Sequence, residues 1–415
     1  MSRFLIIFAI AASYFVFAIL LNSVGTVILL SINSFDISKA NASLLEGFKD
    51  LPIAFVSFLV ASFIPRIGYK IAILIALVTV TLMCIVTPIV AEFWVMKLLF
   101  ATIGAAFALV KVSVYSVIGQ LSPNVKSHTS LMNTIEGIFM LGVLSGYWFF
   151  SFYIDAGNPE SLSWLNVYYL LAGITLLATA IVCFAPIRVT APPIENTALT
   201  QDFMDMLRLT YQPLVLVFVI SIFMYVLIEQ GIGTWLPTFN SQILSLPTDI
   251  SVQITSIFAA MIAIGRLSAG VILRYVDWFK FLLCCLFGIA AILIISLMLT
   301  NSTPVDGINS IWDAPIAAFL MPMVGLMMAP IYPVLNSIIL SSLALARQSQ
   351  MTGLIVVFSA LGGTTGSLVT GNLFEIMGGK TAFSLILVPI GMLLISLTLF
   401  KRATDKNLAG REVEA

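Results

Sequence analysis

Twelve long apolar runs separated by short polar breaks constrain this chain more than any other feature. They lie at about 4–32, 45–64, 71–90, 94–118, 129–153, 165–185, 214–240, 250–274, 279–300, 314–343, 350–375 and 381–400. A helix needs about 20 apolar residues to cross a bilayer core. Each run reaches or approaches that length. A membrane barrel would instead show alternating segments of about 10 residues. The first run is too long for the apolar region of a signal peptide and has no cleavage site, so it reads as a retained span. The expected fold is all-α and integral to a membrane, with twelve transmembrane helices.

Composition removes the alternatives. Of 415 residues, 9% are charged, against roughly 25% in a soluble protein. Nineteen Lys and Arg cancel nineteen Asp and Glu, so no basic field exists for nucleic acid. One histidine, His128, and four scattered cysteines, Cys84, Cys183, Cys284 and Cys285, give no metal-ligand spacing. The cysteines read as small buried hydrophobes. Gly362-Gly363-Thr-Thr-Gly366 is not a phosphate loop, because no Gly-Lys-Ser/Thr follows it. No ATPase domain is legible, so any energy the chain uses must come from a gradient. A membrane-embedded enzyme would need a His/Asp/Glu cluster at one face, and a channel would need short repeated pore segments.

Lys and Arg fall unevenly on alternate connections. Thirteen (Arg3, Arg66, Lys70, Lys126, Arg188, Arg208, Arg274, Lys280, Arg347, Lys401, Arg402, Lys406 and Arg411) lie on the side of the N-terminus, and four (Lys39, Lys49, Lys97 and Lys380) lie opposite. An excess of Lys and Arg marks cytoplasmic loops. Both termini are therefore expected in the cytoplasm, and the short loops fit a bacterial inner membrane. The longest polar stretch, Pro186 to Pro213, divides the chain. The expected plan is a six-helix half at 1–185, a cytoplasmic linker at 186–213, a second half at 214–400 and a frayed tail at 401–415.

Two six-helix halves joined in this way resemble the parallel-repeat plan of major facilitator transporters. The connection after the second span reads Ala61-Ser-Phe-Ile-Pro65-Arg66-Ile-Gly68-Tyr-Lys70. It is similar to that superfamily's G-x-x-x-D-R-x-G-R-K signature at Arg66, Gly68 and Lys70. Ala61 replaces the first glycine and Pro65 the acid, which puts one inter-loop salt bridge in doubt. After the eighth span comes Gly270-Val-Ile-Leu-Arg274-Tyr-Val-Asp277-Trp-Phe-Lys280, and Gly265-Arg266-x-x-x-Gly270 within that span also resembles superfamily members. The resemblance implies two pseudo-symmetric halves and gating loops built on Arg66, Gly68, Lys70, Arg266, Gly270, Arg274 and Lys280. Small residues there allow close helix approach, and loop cations meet helix C-termini. A narrower similarity joins Glu229-Gln230-Gly231-Ile-Gly233-Thr-Trp235 and Pro330-Ile-Tyr332-Pro333 to the fucose and glucose/galactose symporter branch. That branch has an acid in its first or fourth span, where this chain offers Asn22 and Lys111.

A charge at mid-membrane costs about 2.5–3.5 kcal/mol, so it needs a partner or a wet cavity. Lys111, Glu136, Glu229 and Arg266 lie that deep. Lys111 and Glu136 each sit eight residues from the cytoplasmic end of consecutive spans, about 12 Å deep. They are expected to pair, either as a substrate contact or as a static strap. Glu229 stands past the middle of the seventh span, before Gly231, Gly233 and Pro237, where the helix can break and line a cavity. It is the expected proton carrier. Glu46, Lys49 and Asp50 open the second span and read as solvated charges or an outer vestibule. Asn22, Asn133, Tyr332 and Asn336 add polar contacts, and Trp235 is placed to stack on a sugar ring. Gly142-x-x-x-Gly146 and Gly362 to Gly366 mark close helix packing.

The expected function is secondary active transport of a small polar, sugar-like solute by alternating access, coupled to protons. A drug or metabolite exporter, or an organic-anion carrier of the same superfamily, is the alternative. The partners expected are the solute and the bilayer, with the chain a monomer. No cofactor or metal is expected. Sodium is the alternative coupling ion, held by carbonyls near the break in the seventh span.

Overall fold

The computed structural model describes residues 2–122, 124–187, 204, 206–300, 307–343 and 345–414. Among these residues there are eleven helices long and apolar enough to cross a membrane, and there is no strand. Leu44–Ile67 adds a helix of 24 residues, about 36 Å long at 1.5 Å per residue. The fold is that of a twelve-span helical membrane protein.

The helices gather into two compact units, Met1–Asn196 with Pro247–Ser256, and Thr197–Leu246 with Ile257–Ala415. In the first unit, Val125–Tyr153 packs on Ser2–Asn22 through Gly142, where an added Cβ would sit 2.6 Å from the Phe15 carbonyl oxygen. Phe93–Leu121 meets Leu44–Ile67 at Gly104, against the Lys49 carbonyl. Tyr69–Val90 meets Val167–Phe184 where Thr81 Oγ1 donates to Thr175 Oγ1 at 2.9 Å.

The second unit repeats the first two pairings. Leu345–Met377 packs on Pro213–Gly233 through Gly362 and Gly366, against the Phe223 and Leu227 carbonyls. Thr248–Ile272 meets the tenth span through Gly265 and Gly325, against the carbonyls of Leu326 and Phe258. Between equally apolar surfaces, dispersion and close backbone approach drive association, and glycine permits both. The same residue type therefore marks the same helix pairs in both units.

Local sequence sets where the spans break. The first divides at Ser23 into Ser2–Asn22 and Val24–Phe35. The tenth breaks into Ile316–Leu320, Met321–Met323, Val324–Met328 and Ile331–Ser341. Pro322 and Pro330, which lack an N–H for the helical ladder, lie at its interruptions. Asn124 caps the fifth span by accepting from Ser127 N at 2.8 Å, so this helix starts before His128 and not after it.

Two expectations are corrected. The tail is helical, since Leu387–Glu414 runs through it. Phe400 is buried against Phe218, and Lys401 pairs with Asp405 at 2.6 Å one turn along. The cysteines divide: Cys84 and Cys285 are buried, Cys183 and Cys284 exposed. Arg188, Asp202 and Asp205 of the linker lie outside the described residues.

Candidate functional site

In the first unit, Lys111 and Glu136 do not form a direct ion pair. The Tyr115 hydroxyl donates to Glu136 Oε1 at 2.9 Å. The Lys111 ammonium lies 5.9 Å from the ring centroids of both Phe107 and Tyr115, within cation–π range. Tyr14 is buried against this group, 6.0 Å from Phe107, 6.2 Å from Tyr115 and 5.5 Å from Phe139 between centroids. The two charges still interact electrostatically. Tyr115, one turn after Lys111, donates to the carboxylate that Lys111 was expected to meet. The outcome is a cation against aromatic faces beside a hydrogen-bonded acid. Asn133 is exposed, and Asn22 returns its amide to the Ala18 carbonyl at 2.9 Å.

The charges that open the second span are not solvated. Glu46 is 0%, Lys49 6% and Asp50 9% exposed. Lys49 pairs with Glu46 and, at 3.4 Å, with Asp50 Oδ1. Tyr147 of the fifth span, also buried, interacts electrostatically with Lys49 and Glu46. Their i, i+3 and i+4 spacing was legible, whereas the burial comes from neighbouring helices.

In the second unit, the seventh span ends at Gly233 and resumes as Leu236–Ile243. Glu229 lies one turn before that break, four residues after Tyr225, on which it acts electrostatically. The Tyr225 ring lies 5.9 Å from that of Tyr332. The Tyr332 hydroxyl is 3.2 Å from Ser359 Oγ, and Asn336 stands one turn further along the tenth span. The Asn336 amide oxygen is buried with no hydrogen-bond partner among the described residues. Arg266 joins this group, since it and Glu229 both act electrostatically on Tyr225 and Tyr332. One acid, one guanidinium, two phenols and an open amide acceptor thus come from the seventh, eighth and tenth spans.

Three sequence expectations change here. Arg266, expected at a gating loop, acts electrostatically on the same two tyrosines as Glu229. Trp235 does not face a solute: it is fully buried, its indole donates to the Ser367 carbonyl at 3.0 Å, and its ring lies 5.7 Å from Phe374. An indole whose N–H and face are both engaged is a packing residue. Gly270 permits no close approach, because an added Cβ meets nothing within 4 Å, whereas Gly265 abuts Leu326 and Ala329.

Of the remaining loop residues, Gly68 takes φ +86° between the second and third spans, which glycine adopts without strain. Lys70 donates to the carbonyls of Cys183 at 2.7 Å and Ala185 at 2.9 Å, at the C-terminus of the sixth span. Arg274 and Lys280 are exposed. The Arg66 side chain lies outside the described residues.

A sequence profile described as the Major Facilitator Superfamily matches residues 4–367. Comparison with curated proteins finds no match. Solved structures with similar folds include a mutant form of the nucleoside transporter NupG, at 14% identity and TM-score 0.76, covering 97% of this chain and all of that one. The D-xylose-proton symporter gives 14% identity and TM-score 0.68, covering 96% and 97%. The Major Facilitator Superfamily transporter FucP, in an outward conformation, gives 14% identity and TM-score 0.62, covering 96% and 99%. At such identities the likeness extends to the fold alone.

Proposed function

Because the chain belongs to the Major Facilitator Superfamily and is a multi-pass membrane carrier of a small molecule, not an enzyme, we propose that it moves a small polar, hydroxyl-rich solute by proton-coupled secondary transport. The observation that supports this is the Glu229 group. Its open acceptor at Asn336, its phenols, the Glu229 acid and the Arg266 guanidinium offer both donors and acceptors, as a sugar or nucleoside requires. The nucleoside and D-xylose transporters among the structural relatives make such solutes the first to try. The first unit carries a polar group of its own, Lys111, Tyr115 and Glu136.

In this reading Glu229 holds the coupling proton, and solute binding at the same group ties its release to transport. The protein sits in an inner membrane with both termini in the cytoplasm, as the Lys and Arg asymmetry supports. A second reading, an organic-anion carrier or exporter, is favoured by one observation: Arg266 stands in the Glu229 group.

A melting-temperature screen of the purified protein tests the solute class, using uridine, D-xylose, an aromatic carboxylate and a lipophilic cation. Occupancy at 100 times the dissociation constant adds about 2.7 kcal/mol to stability. A shift with uridine or D-xylose is the expected result. A shift with the carboxylate alone, lost in Arg266→Met, establishes the anion reading instead. Proton coupling is tested with the stabilising solute in proteoliposomes. Glu229→Gln is expected to abolish accumulation against a gradient and to keep exchange. Full accumulation by that variant rejects the proton role.

A further inference from the structure

The second unit carries exposed charge that the reading above does not use. In the twelfth span, within Leu387–Glu414, Val388, Met392, Ile395 and Leu399 are all exposed. Their steps of three and four residues put them on one face of the helix. Arg402 and Lys406, also exposed, continue that face by the same steps. In the ninth span, Trp278–Leu299, exposed Cys284, Phe287, Ile294 and Met298 form a second stripe of this kind. Exposed Lys280 heads it, one turn before Cys284. An exposed apolar face along a membrane span is the face that meets lipid. These three cations therefore stand where two lipid-facing surfaces reach the headgroups.

The two spans are neighbours at this end. The Trp278 and Phe400 rings meet edge to face with centroids 6.2 Å apart, and Lys401 Nζ lies 5.7 Å from the Trp278 centroid. Tryptophan is enriched at this level of a bilayer. Lys280 follows Trp278 by two residues, and Arg402 follows Phe400 by two. The spans run in opposite directions, so the two cations are offset by only about 6 Å along the axis. Axes of packed helices stand about 8–10 Å apart. Lysine and arginine stems are long enough to lie along apolar surface and bring both heads to one phosphate group.

Nearby acids are committed elsewhere. Asp277 caps the ninth span by accepting from Phe279 N at 3.1 Å and Lys280 N at 3.2 Å. Asp405 pairs with Lys401. Among the described residues, the side chains of Lys280, Arg402 and Lys406 have no ion pair or hydrogen bond. Setting topology requires cations in a loop. It does not require them in line with the lipid-facing residues of two adjacent helices. Charge complementarity selects the occupant: the cations suit phosphate oxygens and the stripes suit acyl chains, and an anionic phospholipid carries both.

We propose that the cationic ends of the ninth and twelfth spans bind an anionic phospholipid. Lys280, Arg402 and Lys406 hold its phosphate headgroup, and its acyl chains lie along the two stripes. The site lies within the second unit and stands apart from the solute and proton readings.

Native mass spectrometry of the full-length protein in detergent tests it, with phosphatidylglycerol, phosphatidylcholine of the same chains, and inorganic phosphate as probes. The wild type is expected to retain phosphatidylglycerol in clear preference to phosphatidylcholine and to retain no inorganic phosphate. Lys280→Gln and Arg402→Gln should each weaken phosphatidylglycerol binding about fivefold. Adding Lys406→Gln to both should bring it to the phosphatidylcholine level. Lys280→Arg with Arg402→Lys keeps the charge and should keep the lipid. Arg347→Gln removes an exposed cation of the eleventh span, away from both stripes, and should change nothing. All these positions are exposed, and the single variants decide the matter should the triple variant fail to fold. Equal retention of the two lipids by the wild type overturns the proposal. So does a loss in Arg347→Gln as large as that in Arg402→Gln, which would mean a diffuse field. Retention of inorganic phosphate in place of the lipid overturns it as well.

Discussion

The two units use similar packing and carry different chemistry. Span five meets span one at Gly142, and span eleven meets span seven at Gly362 and Gly366. Span four meets span two at Gly104, and spans eight and ten meet at Gly265 and Gly325. The ionisable groups have no such correspondence. The first unit holds an acid–base–acid turn and a lysine against aromatic rings. The second holds an acid, a guanidinium and two tyrosines beside a helix break. Packing needs only small residues at a helix contact, which a repeat can share. Binding needs particular groups at particular places, and those differ between the repeats.

The packing half of this comparison is open to the larger perturbation. Gly366→Val and Gly142→Val place branched side chains against the carbonyls of Leu227 and Phe15. Each is expected to destabilise its unit at or above the upper end of the usual 1–3 kcal/mol for overpacking. Gly270→Ala, with open space at its Cβ, is expected to be neutral or to stabilise by up to about 1 kcal/mol, since alanine favours helix over glycine. Melting temperatures of the three variants decide the matter. A tolerated Gly142→Val beside a failed Gly366→Val would mean that the two contacts are not equivalent.

These cases also mark how far the sequence could be read. Span length and hydropathy made the twelve helices legible, because crossing a bilayer constrains both along the chain. Glycine spacing made the tight contacts legible for the same one-dimensional reason. Azimuth is another matter. Lys111 and Glu136 were expected at one depth, yet depth does not say which side chain turns to which, and the Glu136 carboxylate accepts from Tyr115. Arg266 was read with the loop cations because it was counted from the end of its own helix, a count that says nothing of other spans. The tyrosines it acts on electrostatically, Tyr225 and Tyr332, belong to other spans. Glu46, Lys49 and Asp50 opened an apolar run, a position usually wet, and only packing by other helices revealed their burial. Trp235 failed in the opposite sense, since the Ser367 carbonyl that holds it lies 132 residues away in sequence.

The chemistry half is sharpened by a double-mutant cycle. Tyr115→Phe with Glu136→Gln is expected to show a coupling of about 1.5 kcal/mol, the lower end for a hydrogen bond to a charged group. Lys111→Met with Glu136→Gln is expected to show less, because no direct ion pair joins them. Denaturation of the three single and two double variants measures both couplings. A larger Lys111–Glu136 term would restore the salt bridge that equal depth suggested and would remove the distinction drawn here between an aromatic-bound lysine and a hydrogen-bonded acid.

The smallest effect belongs to the loop that follows the second span. Lys70 meets two carbonyls at the end of the sixth span, where the helix dipole leaves partial negative charge. A cation at such a terminus is worth roughly 0.3–1 kcal/mol. Lys70→Met should lose that much and Lys70→Arg should retain most of it. The residue carrying the loop signature would then act as a helix cap within its own unit. Gly68 beside it supplies the turn, by a backbone conformation that a side chain would strain. Thermal melts at low and high salt separate this from a gating role. The difference between wild type and Lys70→Met should shrink with salt, as a dipole interaction does. Unchanged stability with transport lost would instead make Lys70 a switch in the transport cycle and give the signature back its gating function.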